Sequence, residues 1–271
     1  MSKFKLENDC IIAFVEEHAS EIHSLKRKDK DIEYIWQGDE AYWSFRNPTL
    51  FPLVGNTWDK ILHIKGKEHT TGNHGFCRTV DFTCVEHDDS HIVMELKDSE
   101  DTLKQYPFHF VLRNIYKIEG DSLSVTTTIE NTNDEVMPFN FGYHPAFNVP
   151  LDPSKDWSDA KIFFDQTEIV DGNEQKELEL NKERLGKTVI LANPNSSTYT
   201  LSDGSCSVII TAPGFPWCAF WSKLSSPFVC IEPWHSHTDF TKVEVPFEQR
   251  EGTIMLEPHQ TFQTGYTITV K

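Results

Sequence analysis

Apolar residues in this chain recur at every second position far more often than at every third or fourth. The run Asp121–Glu130 sets Leu123, Val125, Thr127 and Ile129 on one side, the period of a strand with one buried face. Ser207–Thr211 and Thr261–Val270 carry the same alternation. Shorter runs of the same kind lie at Ile11–Val15, Ile32–Trp36, His109–Lys117 and Lys161–Phe164. Polar turn clusters stand between them, at Glu119–Asp121, Asn131–Asp134, Asp171–Asn173 and Ser202–Gly204. Helical periodicity is scarce. Lys176–Leu185 is the best candidate for a helical turn, although its charge suits an excursion over the surface. Many short strands joined by polar turns predict an all-β fold, an antiparallel sandwich or barrel with few short helices. No Gly-, Ser- or Pro-rich linker, composition break or internal repeat divides the chain, so residues 1–271 are expected to form one domain.

Composition sharpens that picture. Hydrophobic residues make up 38% of the 271 positions and aromatics 12%, which suits a β-rich core filled by large side chains. Asp and Glu number 42 against 25 Lys and Arg, a formal charge of −17. Such a chain repels phosphate backbones and anionic bilayers, which argues against nucleic acid and membrane as partners. No run approaches the ~18 apolar residues of a membrane span. The opening Met1–Asn8 lacks the apolar core of a signal peptide. Six cysteines occur without Cys-x-x-Cys spacing, the pattern of buried free thiols in a reducing compartment. A cytoplasmic location is therefore expected.

Four segments are unlike ordinary strands. Phe45–Asn56 frames Arg46 and two prolines with apolar residues, and Asn73–Arg78 contains a His-Gly pair. Met137–Asn148 surrounds His144 with Phe139, Phe141 and Phe147, and Pro227–Trp234 places Glu232 in an otherwise apolar run. Taken singly, Glu232 reads either as a buried acid or as one turned outward beside Pro233. His144 reads equally as a satisfied core histidine. Apolar surroundings raise a carboxyl pKa and lower that of an imidazole unless each is paired. His235, His237 and Asp239 would share a face if the strand ran on, a spacing permissive for a metal but also that of a polar loop. Phosphate-loop, dinucleotide, nucleophile-elbow and zinc-protease motifs are absent.

In combination these segments resemble the aldose 1-epimerase (galactose mutarotase) family, closest to its branch associated with lactose-utilisation operons. His74–Arg78 is similar to the family's H-G-F-x-R segment, Tyr106–Phe110 and Gly142–Asn148 to further signatures, and Phe228–Trp234 to the segment bearing its catalytic glutamate. The likeness runs from Glu21–Leu25 and Tyr34–Asp39 to the last strand.

The resemblance implies a β-supersandwich of twisted, mainly antiparallel sheets. It also implies a reaction without cofactor or metal, interconverting the α and β anomers of a free aldose. Glu232 would be the base at the C1 hydroxyl and His144 the acid at the ring oxygen. Their ordinary pKa values, ~4.3 and ~6.5, bracket the mild pH at which such a pair works. His74, Arg46 and Arg78 would bind hydroxyls, with Trp234 and Phe76 as candidate walls against the sugar. The partner is then a monosaccharide, on a monomer or homodimer. Two departures stand out. His235–Asp239 replaces a small glycine-containing loop, and the sugar-binding aspartate has only a weak candidate in Asp171. A hexose-6-phosphate 1-epimerase and a non-catalytic sugar-binding or sensing protein are the alternatives. The net charge of −17 offers an anionic substrate no global attraction.

Overall fold

The longest alternating runs become the longest strands. The computed structural model describes residues 2–271 and is 47% strand and 7% helix. Nine antiparallel strands form the main sheet. In spatial order they are Asn173–Glu179, Lys161–Val170, Thr198–Ser202, Ser207–Thr211, Thr261–Val270, Ser122–Asn131, Phe110–Glu119, His91–Lys97 and Thr83–His87. Leu123, Val125, Thr127 and Ile129 all face the core, as their spacing predicts.

A second sheet orders Val189–Ala192, Trp217–Trp221, Phe228–Trp234, Gly142–Tyr143 and Thr49–Leu50, with Ala146–Asn148 also pairing along Phe228–Trp234. Its inner face meets the main sheet through Tyr143 against Tyr266 and Phe220 against Phe164 and Tyr199. The result is an antiparallel β-sandwich whose main core draws residues from Leu6 to Val270. A three-stranded sheet of Lys3–Glu7, Ile11–Glu16 and Ile22–Arg27 adds its apolar face to that core.

A buried polar chain ties the two sheets together. Asn114 Nδ2 donates to Thr49 Oγ1 at 3.0 Å, Thr127 Oγ1 to Asn114 Oδ1 at 2.7 Å, and the Tyr143 hydroxyl to Thr127 Oγ1 at 2.7 Å. Asn114 and Thr127 belong to the main sheet, Thr49 and Tyr143 to the second. Each donor finds an acceptor, so the desolvation of these groups is compensated. The residue after Tyr143 is His144, so this chain also anchors the strand that ends just before it.

Three segments depart from the sequence pattern. Ile32–Trp36 does not join a ladder and makes isolated bridges at Glu33 and Ile35. The Glu33 carboxylate accepts the backbone N–H groups of Leu25 and Ile35, taking hydrogen bonds that a neighbouring strand would otherwise supply. Of Lys176–Leu185, the first part lies in the strand Asn173–Glu179. Only Lys182–Leu185 turns helical, where the Asn181 side chain accepts the Arg184 N–H. A helix at Glu100–Gln105 has too few apolar residues to show a period. Its signature is the cap instead, in which Ser99 and Thr102 exchange side-chain-to-backbone hydrogen bonds.

Thr127→Val keeps the shape of the side chain but strands the Asn114 carbonyl and leaves the Tyr143 hydroxyl only the Thr264 carbonyl at 3.4 Å. Urea denaturation should show a loss of about 1–3 kcal/mol. A change within ~0.5 kcal/mol would mean that the polar chain does not hold the sheets together.

Candidate active site

Strand alternation decides which residues reach the site. Along Phe228–Trp234, Val229 and Ile231 point into the sandwich core, and Cys230, Glu232 and Trp234 point to the opposite face. Gly142 lies opposite Trp234 and Ala146 opposite Cys230, and the same register carried between them sets His144 opposite Glu232. The bonds from Ile231 N to the Pro145 carbonyl and from His235 N to the Phe141 carbonyl make 144 and 232 a pair without a ladder bond. In such pairs the side chains approach most closely. His144 Nε2 lies 3.1 Å from Glu232 Oε2. The two are not aligned, which leaves Oε2 without a hydrogen bond.

Small residues make room around the pair. Ala219, on the other neighbouring strand, faces Glu232, and Ile190 faces Ala219, so one row runs His144, Glu232, Ala219, Ile190 across the sheet. At Gly142 an added Cβ would lie 2.6 Å from the Trp234 ring. Gly75 has φ +72, and a Cβ there would meet the Phe51 carbonyl oxygen at 2.2 Å. The residue before it, His74, is thereby brought over the sheet.

Above the pair opens a cavity of about 630 Å³. Trp43, Phe45, Trp221, Trp234 and Phe240 supply its aromatic lining, and Asn73, His74, Arg78, Lys187, Thr188 and Thr238 its polar lining. His144 is boxed in by three rings. Trp43 stacks on it at 4.7 Å between centroids, Trp221 meets it edge-on at 5.7 Å and His74 edge-on at 5.4 Å.

Burial governs the electrostatics. It pushes the Glu232 carboxyl well above its ordinary range, tempered by the neighbouring Trp234 side chain. It pulls His144 well below the ordinary imidazole value, aided by the neighbouring His74 ring and the charge of Arg78. The two shifts run in opposite directions, and each disfavours the charged form of its group. His74 is pulled down to about 3 by burial and by Arg78. Its Nδ1 accepts the Gly55 N–H at 2.9 Å, so the proton of this neutral ring is on Nε2. Arg78 stacks on Phe45, 4.5 Å from the ring centroid. Burial lowers its pKa against the opposing pull of Glu21.

Glu232, His144, His74, Arg78 and Trp234 thus converge on one cavity. Two other residues read from the sequence do not. Arg46 turns its Nη2 to the Gln37 carbonyl at 2.8 Å, and its backbone N–H donates to Glu21. Phe76 is 2% exposed and packs in the main core against Phe51 and Phe110. Asp171 sits at a hairpin tip, paired with Arg184 and outside this cavity.

His235, His237 and Asp239 do not share a face, because the strand ends at Trp234. His235 Nε2 contacts Thr264 Oγ1 at 2.7 Å, His237 stacks near Phe240, and Asp239 pairs with Arg250. Sequence reading missed Trp43, Trp221, Lys187 and Thr188. The two tryptophans are outward-facing aromatics beside polar neighbours, a signal shared by many surface rings. Lys187 and Thr188 lie in a charged stretch with no apolar period at all.

A buried carboxyl and imidazole at the floor of a concave, aromatic-walled cavity are groups of the kind that carry general acid–base chemistry on a bound small molecule. Comparison with known proteins agrees. The profile of the family described as aldose 1-epimerase matches residues 2–185, and the chain belongs to that family. It is 27% identical over 296 residues to the plasmid and chromosomal LacX proteins of Lactococcus lactis subsp. lactis, covering 98% of this chain and of each relative. The crystal structure of a galactose mutarotase related enzyme from Lactobacillus acidophilus superposes with a TM-score of 0.92 at 28% identity, over 100% of this chain and 97% of that one. A galactose mutarotase-like protein from Lactobacillus casei gives 0.92 at 26%, covering 100% of both chains. The chain falls in the LacX-like branch.

The raised Glu232 pKa has a consequence for stability. The native carboxyl keeps its proton where the unfolded one ionises, so its contribution is complete below the unfolded value and is lost as pH rises through the folded value. Glu232→Gln removes that loss. Melting temperatures should show the variant more stable than the parent, by a margin that widens from pH 5 to pH 8. An equal margin at all pH values would contradict the assignment.

Proposed function

We propose that this protein is an aldose 1-epimerase-type isomerase that interconverts the α and β anomers of an aldose. The observation that carries this reading is the buried contact between Glu232 and His144 at the floor of an aromatic-walled cavity. Glu232 takes the C1 hydroxyl proton while His144 delivers one to the ring oxygen. The electron pair left on O1 closes the carbonyl, the bond from C1 to the ring oxygen breaks, and an open-chain aldehyde forms. Rotation about C1–C2 and reclosure with the two proton transfers reversed give the other anomer.

The pair needs one proton between them. A sugar hydroxyl donating to Glu232 stabilises the carboxylate, the state in which Glu232 is the base and His144 carries the proton. His74, fixed with its Nε2 proton, acts as a neutral donor to the sugar, and Trp43, Trp221 and Trp234 offer faces to its C–H surface. Pairing one general acid with one base gives each a share of ~10²–10⁴ in rate.

Related readings rest on the same features. The continuous core from Leu6 to Val270 supports a single domain. Free thiols at all six cysteines support a cytoplasmic location, and no helix among the described residues is long and apolar enough to cross a membrane.

Polarimetry on pure anomers tests the assignment. Glu232→Gln and His144→Asn should each lower kcat by about 10²-fold or more, with sugar binding to the Gln variant largely spared. Full activity in either variant would remove that residue from the mechanism. An inactive parent that still binds sugar would instead identify a binding protein. The pH–rate profile should form a plateau bounded below by a limb under the ordinary histidine value and above by one over the ordinary glutamate value. Both limbs belong to the pair. A single limb near ~4.3 would mean an unperturbed, solvated Glu232.

A further inference from the structure

Cys230 is a thiol beside the site that the proposed reaction does not use. It stands two residues before Glu232 on the strand Phe228–Trp234, so alternation sends both side chains to the same face. Ala146 lies opposite it on the neighbouring strand, and Trp36 and Phe228 pack around it with Trp43 and Trp221 against them. The thiol is fully buried. Its Sγ, a His144 ring nitrogen and a Glu232 carboxylate oxygen all lie within 4.8 Å of one another. Among the described residues, no other three His, Cys, Asp or Glu side chains gather in this way.

Two of the three donors already stand close to metal-ligand spacing. Atoms bound to one tetrahedral Zn²⁺ lie about 3.3–3.6 Å apart. His144 Nε2 is 3.1 Å from Glu232 Oε2. Oε2 is buried and has no hydrogen-bond partner, so its lone pairs are free for an ion. Cys230 Sγ has to close in by about 1 Å at most, which a small side-chain rotation supplies. A thiolate, a carboxylate and a neutral imidazole around a divalent ion sum to zero charge. The ion is thus compensated where water is scarce, and Arg78 faces no net positive charge. His144 and Glu232 line the cavity, which provides the entry path and room for a water as fourth ligand.

We propose that Cys230, His144 and Glu232 form an inhibitory site for a thiophilic divalent metal ion of the Zn²⁺ type. One sulfur, one nitrogen and one oxygen donor select Zn²⁺ or Cd²⁺ over Mg²⁺ or Ca²⁺. On binding, the S–H bond of Cys230 breaks, a metal–sulfur bond forms from the same electron pair, and the proton leaves to solvent. The Glu232 carboxylate and the His144 nitrogen give lone pairs to the ion in the same way. Neither group can then move a proton, so ring opening stops. The loss of turnover rests on the epimerase reading above, whereas the metal site does not.

Titrating the parent with Co²⁺ should produce a near-ultraviolet sulfur-to-cobalt band that saturates near one equivalent and is displaced by Zn²⁺. X-ray absorption of the parent with one equivalent of Zn²⁺ should show one sulfur at ~2.3 Å and nitrogen or oxygen ligands at ~2.0–2.1 Å. Cys230→Ser and Cys230→Ala keep both proton-transfer groups and should lose the band while matching the metal-free parent in turnover. In polarimetric assays Zn²⁺ should lower the parent's kcat/KM about tenfold or more at a concentration that leaves both variants at least half active. A chelator should restore the parent, and ~1 mM Mg²⁺ should have no effect. A zinc shell without sulfur, or a cobalt band that persists in both variants, would overturn the site. Zinc held through Cys230 while turnover is unchanged or raised would overturn the inhibition. If the metal-free parent turned over no sugar, the epimerase reading would fail, and the cobalt band and zinc shell would still decide the site.

Discussion

A carboxyl and an imidazole are held 3.1 Å apart in a place that excludes water, and much else in the structure serves that contact. Neither group would be stable there alone, since burial opposes the charge of each. Their proximity comes from strand register, which sets His144 opposite Glu232 at a position free of ladder bonds. The register is fixed in turn by the core residues that alternate with them. Val229 and Ile231 face inward, so a slip by one residue would turn Glu232 into the core and these apolar groups out. The buried Thr49–Asn114–Thr127–Tyr143 chain pins the neighbouring strand Gly142–Tyr143 from beneath. Sandwich packing and site chemistry are thus two faces of one sheet.

The surroundings adjust the pair without touching its register. Trp43, Trp221 and His74 confine the His144 ring on three sides. Confinement in rings rather than hydrogen bonds leaves His144 Nδ1 without a partner, while Nε2 faces Glu232. Arg78 faces the open cavity. Its charge disfavours a proton on both histidines.

Much of the fold was legible in the sequence because alternation reports burial directly. Leu123, Val125, Thr127 and Ile129 needed no partner strand to be recognised as one face. Where side chains compete for backbone hydrogen bonds, alternation misleads, as at Ile32–Trp36, where the Ile35 N–H goes to the Glu33 carboxylate and only isolated bridges form. The short helix at Glu100–Gln105 is encoded in its cap, a signal independent of apolar period. For the site, segments rich in aromatics and prolines around Glu232, His144, His74 and Arg78 marked residues that do converge. Arg46 and Phe76 lie in the same segments and do not, because one turns to the Gln37 carbonyl and the other to the core. Sequence proximity places a residue near a site; the backbone angles of its own position decide where its side chain goes.

The sequence by itself determined the all-β class, the inward faces of the principal strands and the set of chemical groups available, because these depend on local periodicity and residue type. Which groups meet was decided only by tertiary structure. Register between strands distant in the chain paired His144 with Glu232, and strand order carried Lys187 to the same cavity. The direction of the two pKa shifts also waited on the fold, since it depends on how completely water is removed.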